Sequence, residues 1–242
     1  MIIVKNLCKS FGSKIILQDI NLEIPEKKAL VILGQSGTGK SILIKSIIGI
    51  IEIDSGFVKI DDNIISNKNL KQRLKLMSNF GFLFQYGALF DSMNILDNIT
   101  FFANANSNIS IDEKIKITKE LLDSVELSSN IMYMLPSELS GGMQKRVALA
   151  RAIAAKPRYV FLDEPTTGLD PVTSHAINKL IVKLIQEYNL TTVTITHSIS
   201  SAKMIGDNII YLQNQGIKWQ GTKEEFINTE DQSILEFIKY DY

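Results

Sequence analysis

Apolar residues fall along the first part of the chain in short runs separated by turns. Ile2-Ile3-Val4, Ile15-Ile16-Leu17 and the stretch 20–24 predict short strands of an antiparallel sheet. Pro25-Glu26-Lys27-Lys28 breaks the pattern. Ala29-Leu30-Val31-Ile32-Leu33 is then unbroken and ends in glycine, the signature of a strand buried on both faces. A helix over 40–50 follows, then strands over 56–60 and 63–65.

From residue 67 to residue 155 the periodicity is mostly helical, with helices expected over 69–78, 94–104, 112–124 and 141–155. The exception is the apolar strand 80–84. Pro157 stops the last helix, and Tyr159-Val160-Phe161-Leu162 is a second fully apolar strand. A helix over 172–188, a strand over 191–196 and two short strands near Ile209 and Ile217 complete the core. Strands alternating with helices predict an α/β fold with a mostly parallel sheet. The tail again places apolar residues at helical spacing, over 224–227 and 231–238.

Composition narrows the classes. The 242 residues suit one large domain, or one domain with a subdomain. Lys plus Arg and Asp plus Glu are each 26, so the formal net charge is zero and a general nucleic-acid binder is disfavoured. The single cysteine, Cys8, excludes an intramolecular disulfide framework and is expected to be a small buried hydrophobe. No signal peptide is visible, and no stretch approaches the roughly 20 apolar residues of a membrane-spanning helix. The chain is expected to be soluble by itself.

The chemistry starts at Gly34-Gln35-Ser36-Gly37-Thr38-Gly39-Lys40-Ser41, which matches the P-loop pattern between an apolar strand and a helix. Its glycines let backbone N–H groups converge on phosphate oxygens, and the helix N-terminus adds its dipole. Lys40 would reach the β- and γ-phosphates of ATP, and Ser41 would offer its hydroxyl to Mg²⁺. Leu162-Asp163-Glu164-Pro165 ends the second apolar strand, where doubly wound sheets bind ligands. Asp163 there suits Mg²⁺, held through water. Glu164 suits a general base, or a group that polarises the attacking water, since hydrolysis needs an acceptor for a water proton. Leu139-Ser140-Gly141-Gly142-Met143-Gln144 predicts a second phosphate-binding helix start, with Ser140 as its cap.

A P-loop, then Ser140-Gly141-Gly142, then Asp163-Glu164-Pro165 resembles the nucleotide-binding subunit of an ABC (ATP-binding cassette) transporter, over essentially the whole chain. The resemblance implies a P-loop NTPase core with an N-terminal antiparallel β-subdomain and a helical subdomain insert. Residues 1–86 and 156–225 would form the core, 87–155 the helical subdomain and 226–242 a C-terminal extension. It implies that Phe11 stacks on adenine, where many members carry Tyr. Gln85 would contact Mg²⁺ and the attacking water, His197 the γ-phosphate, and Gly168-Leu169-Asp170 the opposite subunit. His175 is expected to be structural. Two copies would sandwich two ATP molecules head to tail, the P-loop of one facing Ser140, Gly141 and Gly142 of the other. The partners implied are a second copy and a transmembrane permease at the cytoplasmic face of the inner membrane, with no nucleic acid.

Two stretches, 82–93 and 135–148, are similar to the Mla-type ATPases of lipid transporters that work with an MCE-domain protein. The run Gly87-Ala88-Leu89-Phe90-Asp91-Ser92 carries that likeness. Solute importers more often carry a Pro and a His nearby. The segment is the one that would touch the permease. The tail resembles an extension that packs on the partner ATPase, although a helix covering its own domain explains the pattern equally well. Import of a small solute, such as an amino acid or nucleotide, is the alternative reading. A non-transport ABC ATPase is the third, weakened because those usually carry two cassettes or a long insertion.

Overall fold

The computed structural model describes residues 1–66, 70–77, 79–106 and 109–239. In chain order the strands are β1 (Ile2–Phe11), β2 (Lys14–Ile24), β3 (Ala29–Leu33), β4 (Ser55–Ile60), β5 (Asn63–Ile64), β6 (Phe80–Leu83), β7 (Tyr159–Asp163), β8 (Thr191–Thr196), β9 (Asn208–Gln213) and β10 (Gly216–Thr222). The helices are α1 (Lys40–Ile47), α2 (Leu70–Met77), α3 (Ile95–Asn106), α4 (Ile111–Ser124), α5 (Gly141–Ile153), α6 (Pro171–Glu187), α7 (Ile199–Ile205), α8 (Lys223–Ile227) and α9 (Gln232–Lys239). Residues 69 and 78, the expected ends of the second helix, lie outside the described residues. The backbone divides into two compact units, one from 1–77 and 191–242, the other from 78–190.

The first unit holds an antiparallel sheet in the order β2-β1-β4-β5. The sequence pattern predicts separate strands over 15–17 and 20–24, but the structure joins them into β2. The polar residues between them are absorbed by bulges, with register shifts against β1 on both sides of Leu7. Asn6 and Asp19 both take φ near +50° there. The Asp19 N–H donates to Cys8 Sγ at 3.3 Å, and the Asn21 side chain accepts from the Asn6 N–H at 3.0 Å. Cys8 is therefore only partly buried and serves as an acceptor, not as the fully buried hydrophobe expected.

In the same unit β3 pairs in parallel with β8 on one side and β9 on the other, and β10 closes antiparallel on β9. Every residue of β3 is buried, as an apolar run flanked by two strands requires, and every residue of β8 is buried although four of its six are threonine. Short α7 was not anticipated. Its seven residues are too few for a periodic signal, and its start is fixed by Ser198, whose hydroxyl accepts from the Ser201 N–H at 3.2 Å.

The tail packs on this first unit. Ile234 of α9 is fully buried, Phe237 is 7% exposed, and the Phe237 ring lies 5.0 Å from that of buried Tyr211 on β9. Trp219 of β10 and Phe226 of α8 meet at 5.5 Å. The apolar stripe of α9 thus covers its own domain. Residues 240–242 lie outside the described residues.

In the second unit β6 and β7 are parallel, with Phe80, Phe82, Tyr159 and Phe161 forming one aromatic cluster between 5.5 and 6.3 Å apart. Helix α5 lies so close to β6 that a Cβ at Gly81 would strike the carbonyl of Ala152. Ser110 caps α4, and Asp170 caps α6, where Pro171 occupies the first helical position. His175 lies exposed on α6, so packing does not require it. Among the described residues no helix is long and apolar enough to cross a membrane.

Phe237→Ala removes a buried aromatic side chain of α9. It is expected to destabilise the first unit by about 3 kcal/mol, the usual cost of an aromatic cavity, read as a lower urea midpoint.

Candidate functional site

The P-loop lies in the first unit, and its shape is set by close approaches that only glycine allows. A Cβ on Gly34 would sit 2.5 Å from the Leu212 carbonyl oxygen on β9. Gly39 has φ +98° and would carry a Cβ 3.1 Å from the Ile16 side chain. Thr38 folds back, its hydroxyl donating to the Gln35 carbonyl at 2.9 Å. The loop is thus pressed against β2 and β9 and delivers the chain into α1. Gln35, Ser36 and Gly37 remain exposed, and Ser41 is half-buried in the first turn.

Lys40 is 7% exposed. Its ammonium donates to the carbonyl oxygens of Gly34 at 2.7 Å and Gln35 at 2.9 Å. A buried cation needs such acceptors. They hold the charge over the loop that the sequence marks as a phosphate cradle.

Two further predicted residues belong to this unit. His197 follows the last residue of β8 and is exposed, and the next residue, Ser198, donates its N–H to Thr196 Oγ1 at 3.0 Å. Phe11, at the end of β1, is 51% exposed. One ring face is covered by the Lys9 ammonium, 5.1 Å from the centroid. Lys9 is itself tied to Asp54 at 2.8 Å, and that bond, with the Ser10 N–H, holds the Asp54 carboxyl below the usual range. A core aromatic would be covered on both faces, so Phe11 is available for stacking.

In the second unit Gln85 follows β6 and Asp163 ends β7, at the same end of two parallel strands. Asp163 is the last residue of β7, and Glu164 takes φ +48° as the chain turns away. The Thr167 hydroxyl donates to Glu164 Oε2 at 3.3 Å. Two successive turns then lead through Gly168 and Leu169 to Asp170, which accepts the Val172 and Thr173 N–H groups at 3.0 Å each. Hydrogen bonds from Thr173 hold the Asp170 carboxyl below its ordinary pKa.

Ser140 is the N-cap of α5, its hydroxyl accepting from the Met143 N–H at 3.3 Å. Gly141 is exposed. Gly142 has a packing reason of its own, because a Cβ there would come within 3.0 Å of the Thr173 methyl.

Sequence reasoning missed two members of this region, Lys145 and Arg151, both on α5 and only 6% and 3% exposed. The Lys145 ammonium donates to the backbone carbonyl of Gln85. Burial pushes its pKa down, while the nearby carboxylates of Asp163 and Glu164 push it back up. The Gln85 carbonyl is thereby tied to a buried cation whose charge Asp163 and Glu164 favour. Arg151 donates to the carbonyls of Gly87 at 2.6 Å and Ala88 at 2.7 Å. Burial lowers its pKa to about 10, which leaves it charged at neutral pH. The signal was present in the sequence: a cation breaks each of two otherwise apolar faces of α5, which buries 145 and 147–153.

The segment after Gln85 is held as firmly. Gly87 and Ala88 take φ of +75° and +49°, a backbone that a non-glycine residue adopts only under constraint. Fully buried Asn98 accepts the Phe90 N–H at 2.8 Å and donates to the carbonyls of Phe90, Met93 and Asn94. Phe84, Tyr86 and Phe90 stay exposed around this held loop.

Comparison with known proteins agrees with the motif order. A model of the ABC transporter family matches residues 17–167. The chain is 36% identical to the "Probable ribonucleotide transport ATP-binding protein mkl" of Mycobacterium leprae, across 97% of this chain and 67% of that protein. Against other mycobacterial forms of that protein the chain spans 65% of their length. It is 34% identical to the "Intermembrane phospholipid transport system ATP-binding protein MlaF" of Haemophilus influenzae, across 99% of this chain and 90% of that one. It is 35% identical to the "Glutamine transport ATP-binding protein GlnQ" of Escherichia coli, across 99% of both.

Among solved structures, the dimeric post-hydrolysis form of the ATP-binding cassette MJ0796 with ADP and Pi superposes with a TM-score of 0.83 at 33% identity. It covers 92% of this chain and 99% of that one. With the family model over 17–167 of 242 residues and near full-length likeness to ATP-binding subunits, the chain belongs to the ABC transporter family of ATP-hydrolysing cassettes.

Proposed function

We propose that this cassette drives phospholipid movement across a bacterial envelope, as a dimer bound to a membrane permease and working with an MCE-domain protein. The carrying observation is the loop 87–94, held from within by Arg151 and Asn98, with exposed Phe84 and Tyr86 just before it. That loop contains the run resembling Mla-type ATPases, and the Haemophilus influenzae relative supports the same assignment. The work takes place at the cytoplasmic face of the inner membrane, where the permease supplies the spanning segments.

In this reading Lys40 exchanges the Gly34 and Gln35 carbonyls for phosphate oxygens, and the loop N–H groups of 35–41 complete the cradle. Phe11 stacks on adenine with its uncovered face, and His197 contacts the γ-phosphate. Glu164 accepts the proton of the attacking water, and Gln85 orients that water. The donor set fits Mg²⁺: Ser41 hydroxyl, Asp163 carboxylate and Gln85 amide oxygen are hard ligands. One carboxylate with phosphate oxygens and water is how that ion is usually held. Among the described residues no three His, Cys, Asp or Glu side chains form a cage, so the nucleotide would share in holding the metal. Held by Ser41, Asp163 and Gln85, Mg²⁺ would supply positive charge to offset the charge that develops on the phosphates. Ser140, Gly141 and Gly142 bind the γ-phosphate held by the P-loop of a second copy.

The near full-length match to a glutamine-transport ATPase favours the second reading, import of a small solute. Both readings share the cassette chemistry and differ in the permease.

Glu164→Gln is expected to lower ATP turnover about a hundredfold or more, as loss of a general base does, and to accumulate an ATP-bound dimer in analytical ultracentrifugation. Wild-type specific activity should rise with protein concentration until dimerisation saturates; a flat, high activity down to nanomolar protein would contradict the sandwich. Purification of the tagged chain from native membranes should recover a permease, an MCE-domain protein and phospholipid. Recovery of a solute-importer permease without an MCE partner would replace the lipid reading with the second one.

A further inference from the structure

Helix α5 carries two features that the assigned chemistry does not connect. Its first turn holds Ser140, Gly141 and Gly142. One turn further on, Lys145 donates to the carbonyl of Gln85. Arg151 then takes the carbonyls of Gly87 and Ala88. The two cations therefore hold three carbonyls within a four-residue stretch, all after β6.

We infer that Lys145 is a positioning residue for Gln85 in ATP hydrolysis, so that α5 sets the place of Gln85 and of the Ser140–Gly142 turn together. This rests on the role given to Gln85 above.

The geometry separates Lys145 from its neighbour Arg151. Arg151 is surrounded by backbone carbonyls and by the Phe90 ring, 5.8 Å away, and burial alone perturbs it. It fixes the loop 87–88. Lys145 instead grips the carbonyl of Gln85 itself, the residue assigned to metal and water. Its hydrogen bond thus fixes the main chain from which the Gln85 side chain extends. A flexible amide side chain is useful to an attacking water only if its main chain is fixed. The Gln85 side chain is half-buried, and the next residue, Tyr86, is 81% exposed.

An α-helix is stiff over one turn, about 5.4 Å of rise. A displacement of the Ser140–Gly142 turn is therefore carried to Lys145 and to the carbonyl it grips. Engagement of that turn by nucleotide would report directly on Gln85. In consequence, hydrolysis is licensed only when α5 is in place.

The test compares Lys145→Met, which keeps the length and apolar stem but removes the donor, with Lys145→Arg, which keeps a donor and the charge. Both are made in the full chain and measured where wild-type turnover has reached its concentration plateau. Lys145→Met is expected to lower kcat about tenfold or more, the effect of losing one charge-assisted hydrogen bond. ATP affinity, read with a fluorescent analogue, should stay within about twofold, and Lys145→Arg should recover kcat to within about threefold. Amide exchange at 86–88 should rise in Lys145→Met only.

A Lys145→Met enzyme with wild-type kcat overturns the inference, as does one whose loss is an equal fall in ATP affinity. A kcat that Lys145→Arg fails to recover also overturns it. If Lys145→Met does not melt cooperatively, Lys145→Gln takes its place under the same criteria. Wild-type turnover in Glu164→Gln would sink the proposed function itself; an inactive Glu164→Gln beside an unimpaired Lys145→Met would sink only the role of Lys145.

Discussion

A buried guanidinium calls for acceptors, and the loop after β6 meets that need for the two terminal nitrogens of Arg151, while its Nε is buried without one. With 3% of the residue exposed and its charge retained at neutral pH, Arg151 requires carbonyls aimed at it. Gly87 and Ala88 supply them only by turning into left-handed conformations. A buried charge-assisted hydrogen bond contributes about 1.5–3 kcal/mol, against roughly 1–2 kcal/mol for one residue held in that region, so the pair of bonds outweighs the strain. The turn at 87–88 closes the segment after β6 and leaves Gln85 at its entrance. Gly81 matters for the same reason: α5 must lie close enough to β6 for its cations to reach the loop.

The first unit solves a different problem, holding a tight glycine-rich loop that ends in a buried cation. Gly34 lets the loop pass against the Leu212 carbonyl, and Gly39 turns it into α1 with a positive φ. Lys40 remains buried and satisfied by the loop's own carbonyls. Zero net charge is consistent with an ATP-hydrolysing cassette, because a phosphate site can be built from local dipoles and single charges. A sum over all charged residues cannot register either.

The elements that were legible in the sequence are those with long or unbroken apolar patterns. The fully apolar runs became β3 and β7, and amphipathic periodicity marked α3, α4, α5 and α6 to within a few residues. What failed to show was either too short or too local. Helix α7 is seven residues long. The joining of two runs into β2 depends on bulges stitched by Cys8 and Asn21, contacts between residues far apart in the strand pair. Phe11 gives the same apolar signal as a core ring, and only its exposure beside Lys9 separates stacking surface from packing.

The sequence by itself determined the family, the P-loop and the carboxylates at the end of β7, because phosphate and metal chemistry restricts residue type at fixed spacing along a single turn. It also determined that the tail is amphipathic. Only the tertiary structure decided where that apolar stripe goes, namely onto Tyr211 of its own unit. Only the tertiary structure revealed Lys145 and Arg151 as the groups that hold Gln85, Gly87 and Ala88. Their partners are backbone carbonyls about sixty residues away in the chain, and a carbonyl has no residue type for a sequence to record.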